Sequence, residues 1–127
     1  SHSVLQHVSR AEFLETLREI RRVMRFDGMS SHWVDLTDCL GGALNNLRFS
    51  TPLWESAVMA ESGFYTNRIR YSEMLVLFRE AGFEAEVIAI KRWDCLPTPR
   101  SKLSDSFKAL SDEDLCVRGF HVLLRPL

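Results

Sequence analysis

The sequence predicts a single α/β domain, a mixed sheet with flanking helices, and three observations predict it. An amphipathic run from Arg10 to Gly28 has the apolar period of a helix. A β-rich run, Met29 to Leu36, follows at once, and Ser1 to Val8 read like the end of an earlier strand. Strand, helix and strand make a crossover whose two strands run parallel. The 127 residues, 46% of them hydrophobic, suffice for one buried core without metal or disulfide staples.

Ser9 and Glu12 have capping-box spacing, and Val8 and Phe13 that of a hydrophobic staple, so the first helix should start at about Arg10. Phe13, Leu14, Leu17, Ile20, Val23 and Met24 form its apolar stripe, and Gly28 should end it. The strand that follows holds Trp33 and Val34, and turns polar at Asp35, Thr37 and Asp38, where it would emerge at the rim of a sheet. The connection at about 37–71 is long enough to be a lid-like insertion. Within it Pro52 opens a short helix, with Ser50 or Thr51 as cap and Leu53, Trp54, Ala57 and Val58 as its apolar face. A second helix fits Glu73 to Ala81, capped by Ser72 and stopped by Gly82. A strand from Glu86 to Trp93 comes next. A turn-rich link with Pro97 and Pro99 then carries a short helix at Ser106–Leu110 and a cap signal at Ser111 and Asp114. The last strand spans about Val117 to Arg125.

Composition narrows the function. Acidic and basic residues nearly balance, 17 against 16, which disfavours a nucleic-acid footprint. No apolar run approaches the roughly 20 residues of a membrane span, and nothing resembles a signal peptide. Cys39, Cys95 and Cys116 are odd in number and widely spaced, which fits a reducing, cytoplasmic setting. No metal site is expected, because His32 and Asp35, three apart on a strand, point to opposite faces.

Ligands of open α/β sheets bind beyond the carboxyl ends of the strands, which draws attention to Gln6, His7, Asp35 and Asp38. The lid above them is rich in recognition chemistry: Asn45, Asn46, Arg48, Trp54, Tyr65, Asn67, Arg68, Arg70 and Tyr71. Amides both donate and accept, guanidinium groups fork onto carboxylates, and aromatic faces stack on flat ligands. The alternative is a lid tied down by its own polar side chains, with His7 packed at a helix start and the aspartates forming turns.

Three stretches carry a family resemblance. Ser3-Val4-Leu5-Gln6-His7-Val8, then Leu17-Arg18-Glu19-Ile20-Arg21-Arg22-Val23-Met24-Arg25-Phe26-Asp27-Gly28 and the strand after it, resemble class I S-adenosylmethionine-dependent methyltransferases of the type 11 kind. In that family a Val-Leu-x-His-like strand end precedes a Leu-Arg-Glu-Ile-x-Arg-Val-Leu-Arg-Pro-Gly-Gly helix. Phe26 and Asp27 depart from its proline and glycine. Tyr71-Ser72-Glu73-Met74-Leu75 through Glu80-Ala81-Gly82-Phe83, and Gly119-Phe120-His121-Val122-Leu123-Leu124, look like its penultimate helix and final strand.

The resemblance implies a partial Rossmann-like methyltransferase fold, the carboxyl-terminal half, over 1–127. The family's glycine-rich donor loop has no counterpart here, since Gly41-Gly42 does not follow a strand and open a helix. By resemblance, Leu5, Gln6 and His7 would line the donor side, with His7 as the candidate base because imidazole titrates near neutral pH. Asp35, Asn45, Asn46, Arg48, Trp54, Tyr65, Asn67 and Arg68 would enclose a small-molecule methyl acceptor. S-adenosylmethionine is the implied cofactor of the complete family member, with none expected to bind this half alone, which should also be inactive. The competing reading is a non-catalytic α/β binding or assembly module. On the half-domain reading, the amino-terminal strand should present an apolar edge that drives homo-oligomer formation.

Overall fold

The computed structural model describes residues 1–127. Two 3-10 turns, Leu5–His7 and Arg10–Glu12, lead into helix α1 (Phe13–Val23), followed by strand β1 (Ser30–Asp35). The insertion holds a 3-10 turn at Asn45–Arg48 and the short helices α2 (Thr51–Trp54) and α3 (Ala57–Ala60). Helix α4 (Tyr71–Glu80) and strand β2 (Phe83–Arg92) come next. The link then carries α5 (Asp105–Lys108) and α6 (Asp112–Leu115), and strand β3 (Val117–Pro126) closes the chain.

The result is a small α/β fold around a three-stranded sheet in the order β1-β3-β2, antiparallel throughout. The mixed sheet expected from the sequence is reduced to one parallel bridge between His2 and Trp33, held by Ser3 N–H on Trp33 O and Trp33 N–H on Ser1 O, both 2.9 Å. The leading strand therefore ends at Ser3 and does not reach Val8. Ser3 has φ +54, which an extended strand cannot continue through, and Val4 turns helical, swinging Leu5 into the core. The edge expected to be apolar thus carries Ser1, His2 and Ser3, with Val4 half-exposed beside them.

α1 and α4 pack on one face of the sheet. Phe13 and Leu17 of α1 and Met74 and Phe78 of α4 meet Val34, Phe120, Val122 and Leu124, all fully buried. The other face presents Trp33, His121 and Leu123, each only half-buried. A second core of Leu44, Leu47, Leu103, Phe107 and Leu115 fastens the insertion to the link.

Several boundaries differ from expectation for physical reasons. α1 stops at Val23, because Met24 turns extended and Arg25 to Gly28 close a turn that leaves Phe26 in solvent. Its Ser9 cap does not form. Ser9 Oγ donates to Glu12 instead, and the Arg10 N–H is taken by the Tyr65 hydroxyl at 3.1 Å. Ser72 lies inside α4 and caps nothing, and its N–H is capped by Asp114 Oδ1 at 2.9 Å, from 42 residues away. Ser50 makes no side-chain cap on α2, Glu55 and Ser56 separate α2 from α3, and of the expected apolar face only Trp54 is buried, with Leu53 and Val58 exposed. The Ser111 cap forms on Asp114 N, and Gly82, at φ +92, stops α4. β2 starts at Phe83, three residues earlier than expected, pairing Phe83 with Pro126. No helix is long and apolar enough to cross a membrane.

Candidate functional site

The rim residues gather where the chain leaves the leading strand and β1. Gln6, Asp35, Leu36, Thr37, Asn46 and the run Thr66–Arg70 surround one cavity of about 10 Å³, room for a single water. Gln6 and Asn46 are buried, and their side-chain oxygens accept no hydrogen bond from the protein. Beside it, on the half-exposed sheet face, Trp33, Asp35, Thr37, Gly42, Lys91, Trp93, Arg118 and Gly119 line an open crevice of about 330 Å³. Asp35 belongs to both. Its Oδ1 accepts from the Thr37 N–H and hydroxyl at 2.8 and 2.7 Å, which aligns the strand exit, and the Lys91 ammonium sits 4.9 Å from the Trp33 ring.

The structure distributes the other sequence-predicted residues as follows. Leu5 is core, and its carbonyl is bonded to Asn67 Nδ2. His7 is exposed, its Nδ1 3.3 Å from the Tyr65 carbonyl. Asp38 is buried, and its carboxylate collects the N–H groups of Leu40, Ala43 and Asn45, so it shapes the loop rather than facing a ligand. Asn45 is half-buried in that loop, and Arg48 points to solvent. Tyr65 is buried, donates to Glu55 at 2.9 Å, and burial pushes its hydroxyl up to about 12. Trp54 is fully buried, with Nε1 on the Thr66 carbonyl at 2.6 Å and its ring stacked on Tyr65.

Residues 65–70 form the spine of the site, all six buried. Asn67 Nδ2 donates to Leu5 O at 2.9 Å and Val8 O at 3.0 Å, while its Oδ1 takes the Ile69 N–H, so one amide ties the entry turn to the insertion. Arg68, at φ +58, donates to the Asn46 and Phe49 carbonyls at 3.1 and 2.7 Å. Arg70 donates to the carbonyls of Leu36, Leu115 and Val117, joining the end of β1 to the start of β3, and burial pulls its guanidinium down to about 10 despite Asp114 nearby. The polar richness of the lid is therefore largely internal. Sequence reasoning missed Trp33, Lys91, Trp93 and Arg118, which come from three separate stretches brought to one crevice by the β1-β3-β2 order. The alternation of Trp33 and Asp35 on one face of β1 was the only local sign of them.

The residues named for the donor do not fit it as they stand. Leu5 faces the core, His7 faces solvent, and Gln6 borders a space for one water. Comparison of the chain with protein families, with curated proteins and with solved structures finds no match.

Proposed function

We propose that this chain is the acceptor-side half of an S-adenosylmethionine-dependent methyltransferase of small molecules, with the donor held by residues outside these 127. One observation carries the reading. The end of the leading strand and the end of β1, joined through α1 and paired in parallel at His2 and Trp33, bring Gln6 and Asp35 to one rim under a roof made by the insertion. The resemblance in the residues around His7, Gly28 and Gly82 points the same way.

The chain's own share of such a reaction is alignment. Methyl transfer is an in-line displacement, and fixing the acceptor contributes most where the reacting atoms must be collinear. In the crevice of about 330 Å³, Trp33 and Trp93 offer flat walls, Asp35 an acceptor, and Lys91 and Arg118 cationic donors. His7 stands at the same end of the sheet, solvent-exposed, with its Nδ1 3.3 Å from the Tyr65 carbonyl. A non-catalytic α/β binding module is the second reading. It is favoured by the self-contained bonding of Asn46, Trp54, Asn67 and Arg68.

The test is a comparison of this chain with a longer polypeptide that includes the coding sequence upstream of Ser1. S-adenosylhomocysteine should stabilise the longer protein saturably, by about 3 kcal/mol at a hundredfold excess over Kd, and leave this chain unchanged. An upstream sequence with no strand running into a glycine-rich loop, or a longer protein whose melting temperature ignores the ligand, overturns the proposal.

A further inference from the structure

A second crevice, of about 300 Å³, is lined by residues of the first turns of the chain, of α2 and α4, of the 65–70 spine and of the segment around α5. Arg10, Arg68, Thr51 and Ser106 line it, with Glu73 and Phe107. We propose that Arg10 and Arg68 form a binding site for an oxyanion, the carboxylate or phosphate group of a small organic ligand. This goes beyond the methyl-transfer reading and does not depend on it.

Three features carry the inference. Arg68 is buried at 5% exposure and takes part in no ion pair. Its Nη1 is used on two backbone carbonyls, and its Nη2 reaches only Thr51 Oγ1 at 3.5 Å, the outer limit of a hydrogen bond. The guanidinium carbon lies over the rings of Trp54 and Phe107, 5.1 and 4.9 Å from their centres, and Arg68 and Phe107 both line the crevice. A buried cation with neither a carboxylate partner nor full hydrogen bonding is costly in a folded chain.

Arg10 supplies the second positive charge. Its Nη2 is paired with Glu73 Oε1 at 2.8 Å, but its Nη1 is buried with no partner. Two guanidinium groups therefore converge here, Arg10 paired with Glu73 and Arg68 within the field of Glu55 but in no ion pair. Burial first, and Arg10 among the charges, pull the Arg68 guanidinium down to about 10, with Glu55 and Tyr65 opposing. An oxyanion in the crevice would accept from Arg68 Nη2 and from the Thr51 and Ser106 hydroxyls, with the Arg10 guanidinium adding positive charge beside it. The backbone supports a ligand role as well. Arg68 keeps a left-handed φ of +58 that a non-glycine residue adopts only where the surroundings impose it, and such residues concentrate at binding sites. The crevice is far larger than an inorganic ion, so the oxyanion would be one end of a small molecule.

Calorimetric titration at fixed ionic strength with inorganic phosphate and, separately, with acetate tests this, using chloride as the control anion. At least one oxyanion should bind saturably at millimolar concentration. Arg10→Gln should weaken it about tenfold or more, and Glu73→Gln, which releases Arg10 Nη2, should tighten it severalfold. Preference for phosphate assigns a phosphate ester, and preference for acetate a carboxylic acid. Circular dichroism of both variants checks that they fold. Saturation by neither anion, equal affinity in Arg10→Gln and the parent, or no gain in Glu73→Gln overturns the proposal.

Discussion

Replacing Asn67 by alanine isolates the bond set that ties the entry turn to the insertion. The change leaves the Asn67 N–H on Gln6 O, at 2.8 Å, in place. It removes the two Nδ2 bonds to Leu5 O and Val8 O and the bond from Ile69 N–H to Oδ1. Val8 is half-buried, so water can reach its carbonyl, and losing that bond costs about 1 kcal/mol. Leu5 O keeps the Val8 N–H at 3.3 Å, so its loss also costs about 1 kcal/mol, whereas Ile69 N is interior and costs roughly 1–3 kcal/mol when left unpaired. The total is about 3–5 kcal/mol, a large part of the stability of a domain this size. Urea unfolding followed by tryptophan fluorescence should show a fall of about 2 M in midpoint at unchanged slope. Asn67→Asp keeps the shape but sets a carboxylate against two carbonyl oxygens. Its folded-state pKa is thereby raised, so the variant should be weakest at neutral pH and recover as pH falls through that value. A loss below about 1 kcal/mol in Asn67→Ala, or an Asn67→Asp that matches the parent at neutral pH, would refute this account of the spine.

Other outcomes follow from the same structure. His32 is 6% exposed, and burial first, with the Ser1 ammonium second, pulls its imidazole down to about 4. The unfolded chain therefore takes a proton near pH 6.5 that the folded one refuses until about 4, and stability should fall by about 3 kcal/mol as pH drops across that window, a slope that His32→Gln should flatten in denaturant titrations. A Cβ on Gly119 would stand 3.0 Å from the Val34 carbonyl in the partner strand, so Gly119→Ala should cost about 1–3 kcal/mol in the same assay, and a neutral result would mean that β1 shifts freely against β3. Self-association through the short Ser1–Ser3 edge and the face of Trp33 and Leu123 should appear as a dimer or larger species in sedimentation, and a strictly monomeric protein at high concentration would remove that expectation.

What the sequence made legible was local. The 3.6-residue period of Phe13, Leu17 and Ile20, the Ser111 cap and the Gly82 stop each depend on residues a turn or two apart, and the structure has them in place. What it hid was distant. The Arg10 N–H is capped by Tyr65 and Ser72 N–H by Asp114, so the nearby serines that looked like caps were displaced by partners 55 and 42 residues away. The antiparallel placement of β3 between β1 and β2 is equally non-local, since it sets Val34 opposite Phe120 and Ile90 opposite the same residue. The candidate site suffered the same limit. Asparagine and arginine have the same chemistry whether they meet a ligand or a backbone carbonyl, and only the folded path of 65–70 decides between them.

That path also separates the two buried arginines. Arg70 is used up: three carbonyls take its Nη donors, and its one spare group, Nε, borders nothing larger than the single-water cavity. Replacing it would orphan carbonyls at the end of β1 and the start of β3 at once, so its role is to hold the sheet's rim closed. Arg68, two residues earlier, would lie on the same side of a regular extended chain, but its φ of +58 breaks the alternation and turns it toward the roof. There it keeps an Nη2 with only a weak partner beside a crevice of about 300 Å³. The conformation is disfavoured, and the Asn46 and Phe49 carbonyls hold it. A chain needing only a second clamp would be served by a lysine or an amide in relaxed geometry. A guanidinium over two rings, with one nitrogen weakly bonded at the wall of a crevice, is what the oxyanion proposal rests on.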